Sequence, residues 1–386
     1  MHIGLNLIFL VPGETGGMEV AARELIPALI DAAPRDTRFT AFVNREAAAA
    51  KDGPWGELLP AVTVPVDARN RVQWVRGEQL LLPRFAARAG VDLVHSLAST
   101  APARGRFRRV VTVHDLIYAR FPEAHAGIRD LGMRVLVPLA VRRSDRVIVD
   151  SHSTQRDLVE LLGTSAERID VVPLGIGTVA RSQPLPENEL RERLRLGERP
   201  IALSLSAKRP HKNLLALIGA LALIPAERRP LLVLPGYPTE HEAALRERAR
   251  TAGVEGDVRF LDWLSGEEFE GLWRVARAFV YPSLYEGFGL PVLEAMARGV
   301  PVACSDASSL PEVAGEAALL FDPHDERAIA AALERLLSEG DRDRAEVERL
   351  RTRGSERARE FTWERTARLT LQSYSRALGR WPKSHI

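Results

Sequence analysis

Twelve short apolar runs punctuate this chain, and longer stretches with helical spacing lie between them. In the first half Ile3–Val11, Phe39–Val43, Val91–His95, Val110–His114, Val147–Asp150 and Asp170–Val172 read as strands. In the second half Ile201–Leu205, Leu231–Leu234, Arg259–Leu261, Ala278–Tyr281, Val300–Ala303 and Ala318–Phe321 do the same. Helical patterns such as Met18–Ile30 and Gln73–Ala89 separate them. Strands that alternate with helices form parallel sheets covered on both faces. A length of 386 residues exceeds what a single core usually holds. The break falls near Pro173–Pro200, where Pro184, Pro186 and the charged stretch Glu187–Arg195 interrupt the pattern. The expected fold class is therefore α/β, with two Rossmann-like domains facing each other across an interdomain cleft. Ligands of such sheets bind beyond the C-terminal ends of the strands, so a facing pair is expected to share one site.

Composition excludes several classes of function. A net charge of +2 is too small for a general nucleic-acid binder. The single cysteine, Cys304, rules out an internal disulfide and fits a reducing compartment; its place in the apolar run after Pro-Val-Ala predicts a buried structural thiol. No apolar run approaches the roughly 18–20 residues that span a bilayer, and Met1–Val11 reads as a buried strand instead of a signal peptide. The expected location is cytoplasmic, with any membrane contact peripheral and at the inner face. Nine His residues are scattered without ligand spacing, and Asp341-Arg-Asp343 sits in a charged helical segment with no strand before it, so no metal site is expected.

The stretch from Ser283 to Arg298 carries the chemistry. Glu286 lies in a loop containing Gly287 and Gly289, Pro291 falls at the expected first position of a helix, and Glu294 lies about one turn inside. Pro suits that position because its missing N–H would have no helical partner. Glycines let the backbone approach a ligand closely, and the free N–H groups of a helix start attract an anion such as phosphate. A carboxylate on each side of an anion site suits a ligand with hydroxyls flanking a phosphate, as in sugar, diphosphate and ribose.

Two Glu separated by seven residues, within Tyr-Glu-Gly-Phe-Gly-Leu-Pro-Val-Leu-Glu-Ala-Met-Ala, resemble the E-x7-E motif of the retaining glycosyltransferases of family 4. The resemblance implies that Glu286 contacts the donor sugar, that the backbone at Phe288, Gly289 and Leu290 meets the diphosphate, and that Glu294 holds the ribose hydroxyls. It also implies the two-domain GT-B architecture: an N-terminal acceptor-side domain over residues 1–178, a linker over 179–198, a nucleotide-sugar-binding domain over 199–362, and a last helix at about 363–380 that crosses back to the first domain. Phe361-Thr-Trp-Glu-Arg-Thr-Ala is similar to the start of that helix.

Other segments bear on the same chemistry. Gly13-Glu-Thr-Gly-Gly17 links a strand to a helix, a unit that brings backbone N–H groups near a phosphate or sugar; its likeness to the family's N-terminal loop points to Gly16 and Gly17. Ser206-Ala-Lys-Arg-Pro-His-Lys-Asn213 places three cations after a strand, where they can neutralise a diphosphate leaving group. Lys212-Asn213 resembles the family's Lys-Asn pair. Where the family commonly has an Arg six positions earlier, this chain has Ser206, leaving Lys208 or Arg209 as the second phosphate contact. Val113-His114-Asp115 resembles the family's first-domain edge, which implies that His114 contacts the donor sugar, while Asp115 caps or orients. His95 ends another strand and reads as structural. Phe260-Leu-Asp-Trp-Leu264 stands where the family frames the base, with Asp262 replacing the usual Gly. Arg104–Arg109 is a basic cluster that reads as a solvated loop.

Together these readings predict a retaining glycosyltransferase that moves a hexose from a nucleotide-diphospho-sugar, UDP- or GDP-linked, to a hydroxyl acceptor that is a glycan, lipid-linked or a small molecule. His114, Lys212 and Glu286 carry the catalytic roles; no cofactor, metal or nucleic acid is expected. The alternatives are a nucleotide-sugar epimerase on the same scaffold and a non-catalytic sugar-nucleotide-binding protein.

Overall fold

A computed structural model describes residues 1–50, 53–121, 128–177 and 182–379. The chain divides into two compact units, Met1–Gly177 with the segment from Thr362 onward, and Thr178–Phe361.

The first unit is built on a parallel sheet of seven strands: β1 (His2–Leu7), β2 (Arg38–Val43), β3 (Ala61–Thr63), β4 (Leu93–Ser96), β5 (Arg108–Val113), β6 (Arg146–Val149) and β7 (Ile169–Val171), in the order β3-β2-β1-β4-β5-β6-β7. The second holds six parallel strands: β8 (Ile201–Leu203), β9 (Leu231–Pro235), β10 (Val258–Leu261), β11 (Ala276–Tyr281), β12 (Val302–Ser305) and β13 (Ala318–Phe321), in the order β10-β9-β8-β11-β12-β13. Each sheet runs outward in two directions from a switch point, β1 beside β4 and β8 beside β11. Both are Rossmann-like, as the alternating pattern predicts.

Four details differ from the sequence reading. Strand β3 has no apolar run to announce it, because it lies at the sheet edge with both end residues exposed. The run read as Ile3–Val11 leaves the sheet at Leu7; Ile8 and Leu10 are fully buried in the turns that follow, so they are apolar through burial and not through extension. The pattern at Gln73–Ala89 is three pieces, the helices Arg71–Arg76 and Leu82–Ala89 joined by a π-turn at Gly77–Leu81. Within the segment read as a linker, Glu187–Leu194 is a helix whose Leu190 is fully buried.

The helix Trp363–Ala377 is part of the first unit. Thr362 caps it, accepting a hydrogen bond from the Arg365 N–H. The Thr366 hydroxyl donates to the Pro173 carbonyl, the Tyr374 hydroxyl lies 2.7 Å from Nδ1 of His95, and Arg376 pairs with Asp170. Nε2 of His95 lies 2.8 Å from the Thr112 hydroxyl, and burial lowers the ring to about 3, so His95 is a neutral structural residue.

Candidate active site

Strands β8 and β11 are neighbours, so the loops leaving their C-terminal ends flank the switch point, where open α/β sheets bind ligands. Those loops are stitched together. Asn213 takes a left-handed conformation (φ 55°), which Asn tolerates better than most residues, and its amide donates to the carbonyls of Pro282 (3.2 Å) and Pro323 (2.7 Å). The His211 carbonyl accepts from the Leu284 N–H (2.8 Å) and the Ser283 hydroxyl (3.1 Å). This fixes Lys212 against Glu286: Nζ is 2.5 Å from Oε1 and 3.1 Å from the Tyr281 hydroxyl. Both side chains are mostly buried, at 14% and 13% exposed. Tyr281 closes β11, and its phenol is pushed well above the usual range by burial, then by the Glu286 and Glu294 carboxylates, so it remains protonated.

The chain from Glu286 to Leu290 is held from below by two serines. The Ser308 hydroxyl donates to the Glu286 carbonyl (2.6 Å) and accepts from the Glu286 N–H (3.1 Å). The Ser309 hydroxyl lies within bonding distance of the carbonyls of Glu286 (3.0 Å) and Phe288 (2.6 Å). Gly289 then caps the helix Leu290–Ala297 with φ 120°, a conformation L side chains rarely adopt, and a Cβ there would lie 2.8 Å from Cδ2 of Leu310. Pro291 occupies the second helical position, not the first. Leu290 leads, and an N–H at the second position lacks a helical partner just as one at the first does. Glu294 follows one turn in, half-buried, with its charge felt at Tyr281.

Lys208 departs from its expected role. It is fully buried, and its ammonium donates to the carbonyls of Gly236 (2.5 Å) and Leu261 (2.9 Å) and lies 3.3 Å from the Glu242 carboxylate. These partners satisfy the charge inside the unit and tie the ends of β9 and β10 together, leaving no face for a diphosphate. Arg209 is half-buried, with its guanidinium on the Tyr237 hydroxyl (3.1 Å). The Tyr237 ring stacks on Trp263 at 6.1 Å, and Trp263 is 75% exposed. Asp262 is exposed beside it, and the Ser206 hydroxyl is buried with no hydrogen-bond partner among the described residues.

In the first unit, Gly16 (φ 64°) caps the helix Gly17–Ala32, and space is open around the Cβ positions of both Gly16 and Gly17. The loop before it is braced by Glu19, which accepts from the Gly13 N–H (2.8 Å) and from Arg23 (2.8 Å). His114 follows β5 and lines a small pocket with Met18, Leu97, Thr112, Asp150 and Thr366. Nδ1 lies 2.7 Å from Oδ2 of Asp150 and Nε2 lies 2.9 Å from the Leu97 carbonyl. Burial alone would lower the ring's affinity for a proton, but the Asp150 carboxylate overrides it and raises His114 to about 9. Asp115 accepts a hydrogen bond from the Ile117 N–H (3.0 Å), a capping contact.

Sequence reasoning missed Tyr281, Asp150, Ser308 and Ser309. Tyr281 and Asp150 were each read only as strand ends; a polar residue at that end of a parallel strand was the available signal. The two serines had none. Elsewhere, Cys304 is buried with its thiol pushed up to about 12, chiefly by burial. Within the basic cluster, Arg108 pairs with Asp145 at 2.7 Å and Arg109 donates to the Pro102 carbonyl. Among the described residues no helix is long and apolar enough to cross a membrane.

Residues 15–179 match the family model "Glycosyltransferase Family 4", and residues 186–360 match "Glycosyl transferases group 1". The chain is 34% identical over 271 residues to the O-antigen chain mannosyltransferase B of Escherichia coli, covering 69% of this chain and 70% of that protein. It is 30% identical to the D-inositol 3-phosphate glycosyltransferase of Salinispora tropica, covering 95% and 82% of the two chains. It spans about a third of the length of the serotype-specific mannosyltransferases WbdA of E. coli. Among solved structures, the sucrose-phosphate synthase of Thermosynechococcus elongatus superposes with a TM-score of 0.75 over 99% of this chain and 100% of that one; at 22% identity this likeness concerns the GT-B fold alone.

Proposed function

This chain belongs to glycosyltransferase family 4, and we propose that it transfers a hexose, mannose in particular, from a nucleotide-diphospho-sugar to a hydroxyl acceptor with retention of configuration. The observation that carries the reading is the cluster of Lys212, Glu286 and Tyr281 at the β8/β11 switch point, next to the Gly289-capped helix start and Glu294. The choice of mannose is supported by the mannosyltransferase relative from E. coli.

In this scheme Lys212 and the N–H groups at Gly289 and Leu290 stabilise the diphosphate as negative charge grows on it. The C1–O bond to the β-phosphate breaks and the acceptor oxygen bonds C1 on the same face. The acceptor proton passes to the departing phosphate oxygen. Glu286 holds sugar hydroxyls, Glu294 the ribose, Arg209 supplies the second phosphate contact, and the Tyr237–Trp263 stack frames the base. The first unit shapes the acceptor site, while Gly16, Gly17 and His114 are assigned to the donor. Since Lys212 and the helix start supply the positive charge, the scheme requires no metal. The acceptor class is a glycan, a lipid-linked glycan or a small molecule; the relatives' names include both an O-antigen chain and inositol 3-phosphate.

Thermal-shift screening against GDP-mannose, UDP-glucose and their ADP and dTDP counterparts identifies the donor. Proton NMR of the product formed with a mannoside acceptor then reads the new anomeric linkage, with an α-linked product expected from an α-linked donor. Conversion of the donor to its epimer without acceptor, or donor binding with no turnover across the acceptor panel, would overturn the proposal. A β-linked product would overturn retention alone.

A further inference from the structure

We propose that Asp150 is a positioning residue that holds His114 doubly protonated, so that the ring serves the transfer as a fixed positive charge and never as a base. The inference rests on the transferase reading above for its functional part, and on geometry for the protonation itself.

Both ring nitrogens face acceptors, Oδ2 of Asp150 at 2.7 Å and the Leu97 carbonyl at 2.9 Å. A backbone carbonyl only accepts, so Nε2 carries a proton. At Nδ1 one proton is shared with a carboxylate. Imidazole, with an unperturbed pKa of about 6.5 against about 3.9 for Asp, is the stronger base. Burial raises the Asp150 carboxyl too, but the charge and hydrogen bond of His114 oppose that rise, and the ring keeps the proton. Asp150 is 2% exposed and leaves β6 just before the helix His152–Leu162, whose cap Ser151 sets the turn. That fixes its carboxylate at the end of the strand next to β5.

The remaining neighbours agree. Asp115 follows His114 in the chain and adds a second negative charge, while His95 on β4 feels the charge of His114 and is itself held neutral, chiefly by burial. The two helices against the pocket, Gly17–Ala32 and Trp363–Ala377, line it with Met18, Ala21, Ala22, Leu25, Thr366 and Thr370, which bear no charge. The raised value of about 9 follows from the same arrangement. An imidazolium cannot take the acceptor's proton. In the scheme proposed above that role falls to the leaving phosphate, and His114 contributes positive charge.

NMR of the His114 ring in the full chain tests the protonation directly. In the parent protein both ring nitrogens should carry protons at pH 7, and the ring should titrate near pH 9. Asp150→Asn keeps an acceptor at Nδ1 but removes the charge, and should lower that titration by roughly one to three pH units. The alkaline fall in kcat with GDP-mannose should move down by the same amount, with KM for the donor nearly unchanged. A neutral His114 at pH 7 in the parent, or a kcat profile that stays put in Asp150→Asn while the ring titration moves, would overturn the proposal. Should Asp150→Asn fail to fold, the parent titration decides alone. Loss of the transferase reading would show as absent turnover in the parent, with the ring titration unaffected.

Discussion

Nζ of Lys212 lies 2.5 Å from Oε1 of Glu286, across 74 residues of sequence. The two meet because β8 and β11 are adjacent at the switch point and the His211 carbonyl bonds the opposite loop. Each is the other's counter-ion, which pre-places the cation where a diphosphate is proposed to leave.

Lys212→Ala should therefore lower kcat by about 10²–10³-fold, the loss typical of one preorganised donor to a developing anion, with a smaller effect on donor KM. A double-mutant cycle with Glu286→Gln should show coupling of about 0.5–3 kcal/mol in urea unfolding. Equal activity of Lys212→Ala and the parent would refute the assignment.

Glu294→Ala should raise donor KM by roughly tenfold to a hundredfold and leave kcat within about twofold, since hydrogen bonds to a charged group contribute about 1.5–3 kcal/mol and ribose binding is the same in ground and transition states. Calorimetric titration with the nucleoside diphosphate and its 2′,3′-dideoxy analogue separates the effect: the parent should prefer the ribose form and the variant should not.

Gly289→Ala forces a side chain into φ 120° and against Leu310. A penalty of about 1–3 kcal/mol is expected, read as a lower Tm and a lower midpoint in urea. Donor affinity should fall as well, because the strained residue caps the helix start. An unchanged Tm would show that the backbone there accommodates a side chain.

Glu78 supplies a pH test of the first unit. Burial raises its carboxyl to about 7 despite hydrogen bonds from Thr100, Asn6 and Gln79. Between pH 4.5 and 7 the folded chain keeps a proton that the unfolded chain releases, so this contribution is fully present below pH 4.5 and is lost as pH rises through 7. Glu78→Gln should flatten the fall, by roughly 3 kcal/mol or less. Urea unfolding at pH 5 and pH 7.5 measures it, and equal slopes in parent and variant would disprove the shift.

What the amino-acid order determined by itself was everything set by local or fully buried patterns. Apolar runs made all six strands of the second sheet legible, the partly exposed edge strands β10 and β13 included, while the three-residue edge strand β3, exposed at both ends, was not. The spacing of Glu286 and Glu294 was legible because a loop and one helical turn set it within nine residues. Tertiary structure alone decided which cation is available. Lys208 and Arg209 are adjacent in sequence, but carbonyls from Gly236 and Leu261 draw Lys208 inside and leave Arg209 at the edge. It also paired His114 with Asp150, 36 residues away, through the adjacency of β5 and β6. A residue's type and spacing state what it can bond; which partner saturates it depends on the packing of strands far apart in the chain.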